Sequence, residues 1–225
     1  MRIRYSNSFG KFTHEDFIVT EIVADVNDDE HATALDQGFL LRNGIWRQCR
    51  STRSRLDQTN YQTLESAEIL TDWDWDELLE INSAYLAYKQ FVLAPHDIVI
   101  GARDLIWGYS DQDRLVAWSR IHQYQGELET AYFAWNYENP RLHLGIRSLE
   151  HELAWAQSLG YQYMYLGPGY ETCSVYKSRV AGFEWWTGSE WSQDAEHYAW
   201  LCDRDSAVTD FKQYELAVYN ATQPH

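Results

Sequence analysis

Residues 161–191 read YQYMYLGPGYETCSVYKSRVAGFEWWTGSEW. An apolar, tyrosine-rich run ends at Gly167-Pro168-Gly169, a short polar segment follows, and a second aromatic run begins after Gly182. This order predicts a strand, a break, a short helix and another strand. A strand that ends in glycine lets a ligand approach its backbone closely. We therefore expect a functional site at this break.

Composition limits the class of protein. The chain has 225 residues, enough for one large domain or two small ones, and its net charge is −16. Such acidity disfavours a protein that coats nucleic acid but permits a local contact. The start of the chain lacks the apolar run of a signal peptide, and no apolar stretch is long enough to span a membrane. We expect a cytoplasmic protein.

Cysteine and histidine spacing predicts no metal site. Cys49, Cys173 and Cys202 stand far apart, without a C-x-x-C pair. His151-Glu152 begins an H-E-x-x-H pattern, but Trp155 occupies the place of the second histidine.

The remaining periodicity predicts a mixed α+β chain. Asn43-Gly44 is typical of a hairpin turn, and residues 104–137 alternate as a three-stranded antiparallel meander. Apolar spacing predicts helices, and Trp75, Leu78, Leu79, Tyr85 and Leu86 fall at the spacing of one apolar face in the second of them. The expected helices cover about 29–37, 74–91, 144–159 and 193–202, residues 57–72 form a loop or short helix, and a last strand covers 214–219.

Five arginines lie in 14 positions of this acidic chain, at 42, 47, 50, 53 and 55. One interpretation is the solvated face of a strand. The other is a local phosphate-binding patch, to which Arg47, Arg50, Arg53 and Arg55 contribute.

The second half of the chain resembles the GNAT superfamily, in which a meander leads into a helix and then into a strand with a splayed end. Tyr165-Leu166-Gly167, followed by Tyr176-Lys177 and Phe183, resembles the signature of arginyl- and leucyl-tRNA–protein transferases. Leu35-Asp-Gln-Gly-Phe39 and Leu144-Gly-Ile146 are similar to further motifs of that group.

Two departures from this pattern affect what the resemblance implies. The group's N-terminal cysteine cluster is missing, so no role of that cluster is transferred. Pro168-Gly169-Tyr170-Glu171 replaces the second tyrosine of the signature, which leaves the acceptor open.

The resemblance implies a GNAT-like fold with a central, mostly antiparallel sheet, flanking helices and a splayed strand near residue 166. It divides the chain into an N-terminal α/β segment, 1–72, which contains the arginine-rich strand, and a transferase domain, 73–225. The implied activity moves an aminoacyl group from the acceptor end of a charged tRNA to an amine, on a protein N-terminus or a small molecule, without a cofactor. Oligomeric state is left undetermined.

An aminoacyl ester is already activated, so the enzyme must orient an amine, accept its proton and stabilise an oxyanion. Backbone N–H groups near residues 166–169 are candidates for the oxyanion, and Glu171 and Tyr170 for proton transfer. Glu171 has a structural alternative, as an acid at a helix N-terminus. The other expected catalytic residue is Tyr176, and the expected substrate contacts are Tyr165, Gly167, Gly169, Lys177, Trp185 and Trp135.

The start of the helix at Leu144 is where the superfamily binds phosphate, and helix N-termini attract anions. Gly145, Arg147 and Ser148 are the candidates here. Arg141-Leu-His-Leu-Gly145-Ile146 departs from the spacing that acetyl-CoA users show. An acyl-CoA-dependent N-acyltransferase is therefore the alternative enzyme, with acetyl-CoA or acyl-CoA as its co-substrate. A binding module without activity is the alternative outside enzymes.

Overall fold

The computed structural model describes residues 1–12, 15–90, 98–208 and 213, with residues 7–12 and 15–20 described by their backbone alone. Its internal contacts form two units, Met1–Arg53 with Gly167–His225, and Ser54–Leu166. The expected boundary between residues 72 and 73 does not coincide with this division by contacts and stays a prediction.

The first unit begins with four strands, β1 (Arg2–Phe12), β2 (Glu15–Asp25), β3 (Phe39–Arg42) and β4 (Ile45–Gln48). They form a sheet of order β1-β2-β4-β3, in which neighbouring strands pair antiparallel. At the turn between β3 and β4, Asn43 and Gly44 have φ of 52° and 76°. Two left-handed residues are what a two-residue hairpin with the favoured twist requires, so the hairpin prediction is confirmed.

Helix α1 (His31–Asp36) follows a 3-10 turn, Asp28–Glu30, and ends before Gly38. Gly38 has φ of 74°, which glycine adopts without the steric cost of a Cβ. A Cβ there would also lie 2.7 Å or less from three ring atoms of Trp186. Residue 38 therefore has to be glycine for both backbone and packing reasons.

The first unit continues after residue 166 with the end of strand β10 (Tyr163–Pro168), a 3-10 helix (Thr172–Arg179), β11 (Phe183–Trp186), β12 (Trp191–Ser192) and helix α4 (Ala195–Ser206). Helix α4 packs against the 3-10 helix. The strand, break, short helix and strand expected of residues 161–191 are confirmed. The expected strand at 214–219 lies outside the described residues.

The second unit is a meander with two helices. Strands β6 (Ala67–Ile69), β7 (Asp104–Asp111), β8 (Arg114–Gln123) and β9 (Leu128–Trp135) pair antiparallel in that order. After β9, helix α3 (Leu144–Ser158) crosses back, and β10 pairs parallel to β9 through Met164↔Leu128 and Tyr165↔Glu129. The mostly antiparallel sheet flanked by helices is thus present, as the GNAT resemblance predicted. Strand β5 (Ser51–Arg55), like β10, contributes residues to both units.

Helix α2 (Trp75–Lys89) begins at Asp74, whose side chain accepts a hydrogen bond from the Asp76 amide at 2.9 Å. Leu78 and Ile81 pack on Trp118 and Ile106 to form the core of this unit. Two details differ from the sequence prediction. Trp75, expected on the apolar face, is 36% exposed, and β6 lies in a segment expected to be loop or helix. Strand β6 has three residues, too few for a readable alternation.

No helix in the described part of the chain is long and apolar enough to cross a membrane.

Candidate functional site

The glycine turn, Gly167–Glu171, ends strand β10. The Thr52 hydroxyl donates to the Gly167 carbonyl at 2.7 Å, and Lys177 Nζ donates to the Pro168 carbonyl at 2.7 Å. Lys177 is buried and holds the turn through this bond, and the substrate contact expected of it stays a prediction. The carbonyl oxygens at this strand end are therefore already bound within the protein.

The backbone of Gly169 is bound as well. Its N–H donates to the Arg50 carbonyl at 3.0 Å, and its own carbonyl accepts from Arg50 Nη1 at 3.3 Å. A Cβ on Gly169 would lie 2.7 Å from Cζ of Tyr198 and closer still to its hydroxyl, so no larger residue fits. The expectation that the Gly169 amide is open to an oxyanion does not hold in this structure.

Tyr170 and Glu171 differ in their freedom to react. The Tyr170 hydroxyl accepts the Arg50 amide at 2.8 Å, and desolvation raises the pKa of that hydroxyl well above its ordinary value. Glu171 is exposed and stands at the N-cap of the 3-10 helix without a capping bond from its side chain. Its Oε2 accepts from Cys173 Sγ at 3.5 Å. Glu171 therefore presents a carboxylate to solvent beside the turn, and Tyr170 acts as part of the frame.

The other predicted residues near the turn divide by exposure. Tyr176 is 42% exposed on the 3-10 helix. Trp185 is buried, and its indole N–H donates to the Asp194 carbonyl at 2.9 Å. Tyr165, in the second unit, is buried in the core. Burial gives Trp185 and Tyr165 a packing role, and substrate contact by either stays a prediction.

The arginine-rich segment is paired with carboxylates. Arg53 is buried with Glu184, Nε to Oε2 at 2.8 Å, and Arg50 meets Asp205 at 2.8 Å. Arg47 pairs with Glu21, and Arg55 with Asp57 at 3.0 Å. A phosphate would have to displace these partners, so the tRNA contact expected of the segment stays a prediction.

Helix α3 begins after His143, which has a left-handed backbone with φ of 51° and makes no capping bond with its side chain. Ile146 and Arg147 donate their amides to the His143 carbonyl, each at 3.1 Å. Gly145 and Arg147 are exposed, whereas Ser148 is buried and does not face solvent. Of the three expected phosphate contacts, the geometry leaves Gly145 and Arg147 accessible.

Three stacked rings lie where β9 ends, and we call them the ring stack. Tyr137 lies between Trp135, with centroids 4.2 Å apart, and Tyr88 of α2, with centroids 3.7 Å apart. Trp135 is buried and Tyr88 is 60% exposed. The expected residue Trp135 is therefore the inner end of a stack whose outer members the sequence prediction missed.

A pocket of about 190 Å³ lies at the same end of the meander. Its charged lining residues are Asp111, Arg114 and Glu138, and Arg114 and Glu138 form an ion pair at 3.6 Å. Glu138 is adjacent in sequence to Tyr137 of the ring stack.

A buried acid network lies between α3 and the meander. Tyr109 donates to Glu152 Oε1 at 2.8 Å and lies 3.2 Å from the Ser119 hydroxyl. Desolvation raises the pKa of Glu152 to about 7. His151 Nδ1 accepts the Leu64 amide at 2.9 Å, and desolvation lowers the pKa of His151 to about 4.

This network contains unsatisfied atoms: within the described residues, Glu152 Oε2 and His151 Nε2 have no hydrogen-bond partner. In the sequence, His151-Glu152 was considered only as half of a zinc motif. The feature that could have indicated the buried network is a pair of polar residues on the apolar side of an amphipathic helix.

The comparison with family models decides which family these residues belong to. Residues 68–186 match the model described as "Arginine-tRNA-protein transferase, C terminus". The chain belongs to this family. The resemblance inferred from residues 165–183 is thereby confirmed.

The arginine-tRNA-protein transferase match begins within β6 and ends with β11, so it includes the glycine turn, the ring stack and the start of α3. Arg47, Arg50, Arg53 and Arg55 lie outside it. No curated protein matches the chain in sequence.

Two solved structures are similar to this transferase-family chain. One is a C-terminal domain, DUF2156, of a protein described as a lysylphosphatidylglycerol synthetase from Agrobacterium fabrum, with 12% identity, a TM-score of 0.41, and coverage of 63% of this chain and 52% of that one. The other is L-PGS from Bacillus licheniformis, with 11% identity, a TM-score of 0.41 and coverage of 67% of each chain. The chain spans about half the length of the first. Because both TM-scores and both identities are low, the assignment of the chain to a family rests on the family match and not on these structures.

Proposed function

We propose that the chain is an aminoacyltransferase that moves an aminoacyl group from a charged tRNA to an amine and forms an amide bond. The observation that carries this proposal is the family match over residues 68–186, which includes the glycine turn and its exposed carboxylate. The family's name points to a protein as acceptor, and we propose a protein N-terminus.

The reaction exchanges one acyl bond for another. The acceptor nitrogen attacks the ester carbonyl, the N–C bond forms, and the C–O bond to the terminal ribose breaks. The amine loses a proton, and the ribose oxygen gains one. The ester supplies the activation, so the protein contributes orientation, a proton acceptor and stabilisation of the oxyanion.

Glu171 is the proposed proton acceptor. Its carboxylate is exposed beside the turn and is not used to cap the 3-10 helix. The surrounding frame is fixed: Arg50 and Lys177 bind the carbonyls of the turn, and Tyr170 receives the Arg50 amide. A carboxylate attached to a rigid turn satisfies the requirement that a general base be held in position.

Aminoacyl transfer is tested with tRNA charged with each radiolabelled amino acid in turn, and with peptides of varied N-terminal residue. Small amines in place of the peptides, and an arm with labelled acetyl-CoA, identify another acceptor or donor. Amide product survives mild alkali, whereas the ester on tRNA does not. We expect alkali-stable label in a peptide for at least one pair.

Glu171→Gln should lower that rate by about 10²- to 10⁴-fold, the usual contribution of a general base. Glu190→Gln is the matched control, because Glu190 is also exposed in the same unit. If label leaves the tRNA no faster than by spontaneous hydrolysis with every acceptor, the proposed function is wrong.

A further inference from the structure

The ring stack runs from the core of the second unit to its surface. Trp135 is 4% exposed and Tyr88 is 60% exposed, with Tyr137 between them. Tyr88 and Tyr137 are inclined by 13°, and Trp135 and Tyr137 by 28°. The rings are therefore close to parallel, and the stack ends at a ring largely open to solvent.

Tyr137 is held in an unusual backbone conformation. Its φ is 59°, in the left-handed region that bulky side chains rarely adopt. On either side, the Asn136 amide donates to the Val116 carbonyl at 3.0 Å, and the Glu138 amide to Asn136 Oδ1 at 3.1 Å. Such conformations persist where the surroundings impose them, and they cluster at functional sites.

Tyr88 is not part of the buried face of helix α2. Leu78, Ile81 and Leu86 of α2 are buried and supply that face. Tyr88 contacts Tyr137 and leaves 60% of its own surface open to solvent. This distinguishes the outer ring from an ordinary core aromatic.

A cation accompanies the rings. The Lys89 ammonium lies 5.7 Å from the centroid of Tyr137, and Lys89 is exposed. In a chain of net charge −16, Lys89 places a positive charge beside the open ring stack. Aromatic rings with one adjacent cation suit a planar group that carries a phosphate.

We propose that Tyr88, Tyr137 and Lys89 form a stacking platform for one nucleobase of the single-stranded end of the donor tRNA, with Lys89 contacting a neighbouring phosphate. This inference rests on the proposed function, because that function supplies the nucleic-acid donor. Base–aromatic stacking is tolerant of sequence and is a regular mode of single-strand recognition. A platform for one base and one phosphate fits a narrow contact by an acidic protein.

The test measures binding without requiring transfer. A 5′-fluorescein-labelled, uncharged oligonucleotide that ends in CCA is titrated with the full chain, and anisotropy gives Kd. Tyr88→Ala should weaken binding by about 5- to 150-fold, the range that alanine substitution of stacking rings gives. Tyr88→Phe keeps the ring and should bind as the original chain does. Tyr5→Ala is the matched control, because Tyr5 is 77% exposed in the other unit.

Further oligonucleotides, each with one abasic position in the CCA end, identify the stacking partner. Removing the base should weaken binding to the original chain but not to Tyr88→Ala, because the two changes remove the same contact. Lys89→Gln should reduce the slope of log Kd against log salt by about one. Circular dichroism of each variant confirms that it is folded.

The inference is overturned if the original chain does not bind the oligonucleotide, if Tyr88→Ala binds as tightly, or if the two changes act independently. If the chain transfers aminoacyl groups but its binding does not depend on Tyr88, the proposed function is supported and the platform is contradicted. If binding depends on Tyr88 but no acceptor receives label, the platform is supported and the proposed transfer is contradicted.

Discussion

The glycine turn and the buried acid network differ in whether their polar atoms are hydrogen-bonded. At the turn, the carbonyls of Gly167, Pro168 and Gly169 accept hydrogen bonds from side chains. In the network, Glu152 Oε2 and His151 Nε2 have no partner among the described residues. A satisfied network specifies one rigid arrangement, whereas an unsatisfied buried group costs stability. The segment nearest the expected chemistry is therefore held rigidly, and the unsatisfied buried atoms lie in the network of Glu152 and His151.

The largest expected effect comes from the buried ion pair that belongs to the same unit as the turn. Arg53 and Glu184 are 5% and 6% exposed, so Arg53→Met leaves an uncompensated buried carboxylate. We expect a loss of about 3–5 kcal/mol in the free energy of unfolding, measured with urea. Combining Arg53→Met with Glu184→Leu should recover most of that loss. No recovery would show that Arg53 acts through other contacts.

Gly169→Ala should also destabilise the fold, by about 1–3 kcal/mol or more, because its Cβ would overlap the Tyr198 ring. Thermal unfolding measures the change. Gly145→Ala is the control, since a Cβ there meets nothing within 4 Å and alanine favours a helix. Equal stability of the two variants would mean that the turn can relax, against the rigidity assigned to it.

The pH dependence of the stability of Glu152→Gln tests the unsatisfied network. Because the folded state raises the pKa of Glu152 from 4.5 to about 7, the folded protein holds this proton more tightly than the unfolded chain does. Stability from this group is therefore lost as pH rises from 4.5 to 7, by about 3 kcal/mol in total. Glu152→Gln should be more stable than the original chain above pH 7 and equal to it below pH 4.5.

Folding shifts the pKa of His151 in the opposite direction to that of Glu152, over nearly the same pH range. Its pKa falls from 6.5 to about 4 on folding, so its contribution is lost as pH falls from 6.5. Between pH 4.5 and 6.5 the contributions of Glu152 and His151 to the slope of stability against pH oppose each other. Glu152→Gln should therefore gain stability with rising pH more steeply than the original chain does. Urea denaturation at each pH measures both slopes, and a variant whose stability does not rise with pH there would contradict the lowered pKa of His151.

The smallest expected effect is that of Arg55→Gln, below about 1 kcal/mol, because its pair with Asp57 is at the surface. Urea denaturation of this variant beside Arg53→Met measures the difference between an exposed and a buried pair. A loss of several kcal/mol would mean that Arg55 is also part of the rigid frame.

Periodicity was sufficient for the elements that repeat a pattern. The meander, the helix from Leu144 and the Asn43-Gly44 hairpin follow from alternation, apolar spacing and turn chemistry. Strand β6 could not be predicted, because three residues are too few to show a period. The exposure of Trp75 could not be predicted either, because apolar spacing alone does not distinguish a partly exposed ring from a buried one.

The candidate site could be predicted only in part from the sequence, for a different reason. Gly167–Glu171 could be located by its glycines and its resemblance to the family motif. The pairing of its amides and carbonyls depends on Arg50, Thr52 and Lys177, which are distant in sequence or buried by tertiary packing. Tyr88 and Tyr137 come together only because α2 and the end of β9 pack, and no local pattern signals that contact.

Aminoacyl transfer at the glycine turn and the role of Glu171 can be tested in one measurement. With the best charged tRNA and peptide pair, the initial rate of alkali-stable label in the peptide is compared for the original chain, Glu171→Gln and Glu190→Gln. We expect transfer by the original chain and Glu190→Gln at similar rates, and a loss of at least about 10²-fold in Glu171→Gln. Equal rates in all three would contradict the role of Glu171, and no transfer by any of them would contradict the function itself.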